Sequence, residues 1–335
     1  DMFTVGMSLP AVFGTDVPKG NYADLTTKGF ELSVSWRDQF QLASKPFNYE
    51  VRFTLADYQS TIDKYNNPEK KLGDDYYYEG MKVGEIWGYE TEGFFTSQAD
   101  IDSHAKQPYF YAGATAGQWL PGDIKFKDLN GDGVIDYGNN TVDNPGDQKI
   151  IGNSEPRFIY GINLSGDWNN FFVSAFFQGV GKQDWWPGSE ASYFWGMYNR
   201  PYNDMPKSHL GNIWTEENPN TYFPRLRGYS SEEPYAELNL KQTRYLQNIA
   251  YIRMKNIQLG YTLPKSFISK LRMQNAKVYV SGENLWSWSP FYKYSKDLDV
   301  EAVRGSDRDL TEGTSGNGYS YPILKSVSFG LSVTF

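Results

Sequence analysis

Apolar residues recur at every second position through eight stretches of the chain. That is the period of a strand whose two faces meet different surroundings. Phe3, Val5, Met7 and Leu9 alternate with Thr4, Gly6 and Ser8, and Phe30, Leu32, Val34 and Trp36 with Glu31, Ser33, Ser35 and Arg37. Phe47, Tyr49, Val51, Phe53 and Leu55 form the third set, and Phe158, Tyr160, Ile162, Leu164 and Trp168 the fourth. A fifth stretch, Phe171 to Gln178, is blurred because Phe172 and Phe176 fall on the otherwise polar parity. Ile257 to Leu263, Ala276 to Val280 and Val327 to Phe335 complete the series. The opposite faces are rich in Ser, Thr, Asn, Gly and Gln, which predicts a wet interior more than an open surface of Lys and Glu. Almost no helical spacing is present.

The connections alternate between short and long. Gln41–Pro46, Gly166–Asn170 and Pro264–Asn275 are short; Pro10–Thr27, Thr61–Glu155, Asp184–Ile249 and Pro290–Tyr321 are long. Compact soluble domains rarely carry loops of that size, whereas transmembrane β-barrels combine short turns on one side with long loops on the other. Trp36, Tyr58, Trp168, Trp185, Trp186, Tyr261, Trp286 and Trp288 stand at strand ends, where interfacial girdles are expected. The pattern predicts an all-β, antiparallel transmembrane barrel with long extracellular loops at 61–155 and 184–249. Two alternatives share the alternation: a soluble β-sandwich and a small closed barrel of eight strands, in which Phe3–Leu9 would pair with Ser326–Phe335.

Composition narrows the chemistry. The 335 residues include no Cys and two His, which excludes disulfides, thiol nucleophiles and Cys-ligated metals. A net charge of −8 argues against a nucleic-acid footprint. Mean hydropathy is −0.61, which a scan for apolar helices reads as soluble. Lipid-facing residues that alternate with a polar lumen produce the same average.

Several blocks, in this order and spacing, resemble the C-terminal part of SusC/RagA-type TonB-dependent outer-membrane transporters. They are GDIKFKDLNGDGVID at Gly122–Asp136, DQKIIGNSEPRFIYGINLSGDW at Asp147–Trp168 and WTEENPNTYFPRL at Trp214–Leu226. YIRMKNIQLGYTLPKSFISKL at Tyr251–Leu271 and VYVSGENLWSWS at Val278–Ser289 follow. The resemblance implies a 22-stranded barrel with a plugged lumen, of which these stretches would be the last eight strands. On that expectation residues 1–335 are one piece of a longer transporter, with plug and earlier strands outside the chain. It also implies a Gram-negative outer membrane, a SusD-like surface lipoprotein over the loops, a TonB complex acting through the plug, and glycan or peptide oligomers as cargo. The alternative function is a soluble or surface β-rich protein that binds carbohydrate or mediates adhesion.

The sharpest local motif is Asp128-Leu-Asn130-Gly-Asp132-Gly-Val134-Ile-Asp136. Oxygens at positions 1, 3, 5 and 9, a carbonyl at 7 and a Gly at 6 suit a structural Ca²⁺ ion. Position 12 is Asn139 instead of Glu, and the resembled family's spacing offers Asp147 as closing ligand. The competing reading is an Asx-turn loop held by its own hydrogen bonds. Trp185, Trp186, Tyr193, Trp195 and Tyr198 are candidates for stacking on a sugar or a partner, against ordinary loop packing. Phe335 ends an alternating strand, the position of the aromatic read as an assembly signal in outer-membrane barrels. No nucleophile, dinucleotide or phosphate-binding fingerprint appears, so no enzyme activity is expected.

Overall fold

The computed structural model describes residues 2–5, 19–74, 76–110, 118–189, 191–227, 234–303, 318 and 321–335. In chain order the strands are β1 (Met2–Val5), β2 (Lys19–Leu42), β3 (Lys45–Lys64), β4 (Glu85–Tyr89), β5 (Thr91–Phe94), β6 (Ile124–Phe126) and β7 (Gln148–Asn153). They continue as β8 (Arg157–Trp168), β9 (Phe171–Lys182), β10 (Asp184–Trp185), β11 (Gln247–Asn248), β12 (Tyr251–Thr262), β13 (Asn275–Trp288) and β14 (Ser326–Thr334). Eight of them form one antiparallel sheet in the order β1-β2-β3-β8-β9-β12-β13-β14. These are the eight alternating stretches of the sequence. Met7 and Leu9 of the first lie outside the described residues.

Register lines the apolar positions into continuous rows. Trp36 faces Val51, Val51 faces Leu164, and Leu164 faces Ala175. The row continues through Ile257 and Gly282 to Val327. No second sheet covers this face among the described residues: Trp36 is 62% exposed and Phe329 is 86% exposed. A sandwich would bury it. The sheet is also open among these residues, with β1 bonded to β2 and β14 to β13, so β1 and β14 do not close on each other as an eight-stranded barrel requires. An apolar outer band opposite a polar inner face is the wall of a membrane barrel. Among the described residues, no helix is long and apolar enough to cross a membrane.

The turns follow from their residues. Ala43 and Ser44 (φ 47° and 60°) join β2 to β3, and Asn169 and Asn170 (φ 48° and 72°) join β8 to β9. Both have the left-handed pair that matches hairpin twist, and Asn adopts it readily. The blurred stretch also has a physical reason. Phe172 lies over Gly260 of β12, where an added Cβ would stand 2.2 Å from its Cζ, and Phe176 lies over Gly161 of β8. Both inward rings fill the space that a glycine leaves on the neighbouring strand.

Two expectations need correction. The sequence places Pro10–Thr27 in a long link, but β2 has 24 residues and begins at Lys19, and β3, with 20, runs to Lys64 into the 61–155 stretch. The extra length is mostly polar, with Leu25, Tyr58 and Ile62 scattered among Thr, Ser, Gln and Asp, so it carries no apolar alternation. Thr26 Oγ1 donates to Asp63 Oδ2 at 2.5 Å, and Thr27 and Ser60 hydroxyls bond at 2.7 Å, holding the ribbon together. The second correction concerns Trp185, which is not a girdle residue: it is 5% exposed inside the loops.

The main hydrophobic core lies in those loops, not behind the sheet. Trp185, Phe194, Trp195, Tyr198, Phe223, Tyr245 and Phe291 pack with Tyr89, Phe110 and Phe126 from the other long loop. The small sheets β4–β7, β5–β6 and β10–β11 brace this crown.

Candidate functional site

The sheet presents its polar face as a strip of alternating charge and hydroxyl. Arg37 of β2 and Glu50 of β3 pair at 3.0 Å, and Asn48 donates to Asp167 at 2.8 Å. Ser165, Ser174 and Lys277 share a 660 Å³ concavity with them, and Lys277 Nζ sits 5.7 Å from the Phe172 ring centre. Such a surface stays wet and offers donors and acceptors to a passing polar molecule.

Above it, the Asp-rich turn is knitted by its own backbone. Asp128 accepts from Gly131 N (2.6 Å) and Gly133 N (2.9 Å), Asp132 Oδ1 from Val134 N (2.8 Å), and Asp136 Oδ1 from Gly138 N (2.7 Å). Asn130 bonds Asp132 in both directions. Asp147 is fully buried and ties both ends, taking Leu129 N and Asn130 N on Oδ1 and Asp136 N on Oδ2. Burial, its largest influence, raises its pKa against those three N–H groups. Among the described residues, no three His, Asp or Glu side chains converge on a point that would hold a metal ion.

The aromatic candidates divide. Trp195 and Tyr198 are fully buried, Trp185 nearly so, and Trp186 packs against the core; Tyr193 is 60% exposed. Trp195 Nε1 donates to the carbonyls of Pro187 and Gly188, and Tyr198 Oη to that of Pro224. Among these five, Tyr193 is the most exposed to solvent. Phe335 is exposed beyond the end of β14. Both histidines brace the loops: His104 Nε2 bonds Phe126 O at 2.7 Å, and buried His209 bonds Phe194 O at 2.9 Å. Desolvation lowers the His209 pKa, so it stays neutral.

A buried acidic pair had no signature in the sequence. Asp123 accepts a two-pronged Arg227 guanidinium at 2.9 and 2.6 Å plus Leu120 N at 2.7 Å. Glu237 beside it is fully buried; its Oε2 accepts Ile124 N at 2.7 Å and its Oε1 has no hydrogen-bond partner among the described residues. Burial raises both carboxyls; at Glu237, raised well above its ordinary value, repulsion from Asp123 adds to burial and Arg227 and Arg225 only partly offset them. Glu237 therefore carries the proton. Above the ordinary value of 4.5 the unfolded chain releases this proton while the folded loop keeps it, so stability falls as pH rises towards the folded pKa. Glu237→Gln keeps an acceptor without the charge. It should stabilise the loops at pH 8 by roughly 1–3 kcal/mol, with the gain vanishing below pH 4.5. Melting curves of both proteins across pH test this; a pH-independent difference sinks it.

Comparison with known proteins covers nearly the whole chain. TonB-dependent receptors P3 and P26 of Formosa agariphila are each 26% identical, over 98% of this chain. This chain is a relative of the TonB-dependent receptors. It spans about a third of their length, 30% and 31%. Among solved structures, the RagAB peptide importer matches in its open-open state with a TM-score of 0.63 at 18% identity, over all of this chain and 31% of that one. Its closed-closed state matches with a TM-score of 0.64 at 19% identity, over 100% and 32%. The likeness is one of fold: the eight-stranded sheet matches about a third of a larger β-barrel chain. No family profile matches the chain.

Proposed function

We propose that this chain supplies wall and loop crown to an outer-membrane nutrient importer. The observation that carries the reading is the uncovered apolar face of the eight-stranded sheet, backed by a polar face and crowned by packed loops. In this reading an oligomer of glycan or peptide is captured between the crown and a SusD-like lipoprotein. TonB pulls on a plug inside the barrel, and the polar strip of Arg37, Glu50, Asn48 and Asp167 lines the opened lumen. Deleting the encoding gene should abolish growth on one oligomeric nutrient while leaving growth on its monomer intact. Recovery of the intact protein from the soluble fraction, or a deletion with no uptake defect on any oligomer, would count against it.

A structural Ca²⁺ belongs to the proposal. The spacing of Asp128, Asn130, Asp132, Asp136 and the Val134 carbonyl suits a hard cation, which would have to draw together carboxylates that accept N–H groups of their own turn; Asp147 fixes both ends of the loop. Calcium should slow proteolysis within 128–147 and chelation should restore it. Identical cleavage with and without a chelator would remove the ion from the account. No transport step depends on it.

A further inference from the structure

A second aromatic site is lined by none of the five aromatic candidates that the sequence singled out. We propose that the cleft between β4 and the 235–241 segment is a subsite for a neutral pyranose ring of the imported oligomer; this rests on the import reading above.

The cleft encloses about 310 Å³, within the range of small-molecule sites. Its rim is built of tyrosines that remain exposed although the loop core is beside them: Tyr76 47%, Tyr137 38% and Tyr235 57%. Tyr137 and Tyr235 stand 6.3 Å apart with planes 35° apart, and outside the cleft Tyr109 packs 6.0 Å from Tyr137. Tyr235 has φ +67°. A bulky side chain in the left-handed region costs free energy, and such strain persists where the surroundings or a function require it. Here the strained residue is one of the exposed tyrosines that line the cleft.

The polar groups narrow the occupant. Neutral amides of Asn140 and Gln148 line the cleft and are held in place: Asn140 donates to Leu72 O at 3.0 Å, and Gln148 donates to Asn140 Oδ1 at 3.2 Å. Amides carry both donors and acceptors, as hydroxyl groups do. The charges are already engaged. Lys241 pairs with Asp74, and Glu85 accepts from the Tyr78 hydroxyl and from Lys82 N. A charged ligand finds no spare counter-ion among these. A peptide that adds a strand needs a free sheet edge, but the 241–243 segment occupies that edge of β4. Tyr89 N donates to Lys241 O at 2.8 Å and Thr243 N to Tyr89 O at 3.0 Å. Gly88 permits the approach, since a Cβ there would lie 2.4 Å from Lys241 O. Flat rings with fixed neutral amides, beside charges that are paired among the described lining residues, fit a sugar ring, whose C–H face stacks on tyrosine.

The test uses the full-length protein in detergent and calorimetry with neutral hexasaccharides of glucose, mannose, xylose and galactose, alongside mixed hexapeptides. One hexasaccharide series should bind, and Tyr137→Ala and Tyr235→Asn should each weaken it by about tenfold, or 1.4 kcal/mol. Asn adopts the left-handed region readily, so Tyr235→Asn should melt no lower than wild type, separating lost binding from lost folding. Unchanged saccharide affinity in both variants, no saccharide binding, or peptide binding lost in Tyr235→Asn would each overturn the proposal. If cells import an oligomer and both variants import it equally well, the subsite fails and the import reading stands. If a saccharide binds at the cleft but deletion alters uptake of no oligomer, the import reading fails.

Discussion

Replacing Arg253 by Met should release the segment at 290–303 from the barrel wall, at a cost of roughly 3–5 kcal/mol. Arg253 projects from β12 and is 3% exposed. Its Nη2 lies 2.6 Å from Asp299 Oδ1 and its Nε 2.8 Å from Glu301 Oε1, while Lys255 reaches Glu301 at 2.5 Å. Asp299 also accepts Glu301 N at 2.9 Å and Ile323 N at 3.2 Å, so one carboxylate gathers two stretches of the loop. Removing the guanidinium strands carboxylates that have little access to water. Removing both sides together should cost far less, because each desolvation penalty disappears with its charge. The triple variant Arg253→Met, Asp299→Asn, Glu301→Gln should therefore recover most of the loss. Hydrogen exchange at the Ala302 and Val303 amides, both bonded to Asp299 O, reads the effect directly. Equal exchange in wild type and Arg253→Met would show that the ion cluster does not hold the loop.

Trp195→Ala should cost about 3–5 kcal/mol, whereas Tyr193→Ala, two residues away, should cost under about 0.5 kcal/mol. Trp195 is fully buried, with Phe194 and Tyr245 rings at 4.7 and 5.3 Å. Its truncation leaves a cavity in the crown and two carbonyls without their donor. Tyr193 gives up only partial contact. Thermal melting of the two variants compares them in one experiment. Similar melting temperatures would contradict the packing assignment of the loop aromatics.

That pair shows where sequence reading stops. Period two is a local property, so all eight wall strands were legible, and so was the alternation of short and long links. Trp195 and Tyr193 have the same chemistry and nearly the same position. Only the fold turns one inward and leaves the other in water. The polar extension of β2 carried no apolar alternation and was read as loop. Asp123, Arg227 and Glu237 meet across more than a hundred residues, as do Tyr76 and Tyr235, and no spacing rule joins positions so far apart. The Asp128–Asp136 motif was visible in full, yet spacing alone could not say how its oxygens are used. In the fold, each carboxylate accepts an N–H of its own turn.

The long β2–β3 hairpin gives the loops a mechanical character. Crossing an apolar band takes about ten residues of tilted strand, while β2 runs for 24. The surplus continues upward as paired ribbon, with Asp24 still opposite Lys64 at its far end. A hydrogen-bonded ribbon resists stretching in a way that a slack tether does not. On this side the hairpin is a stiff post: a small tilt of the wall is magnified with height and arrives at its outer end as displacement.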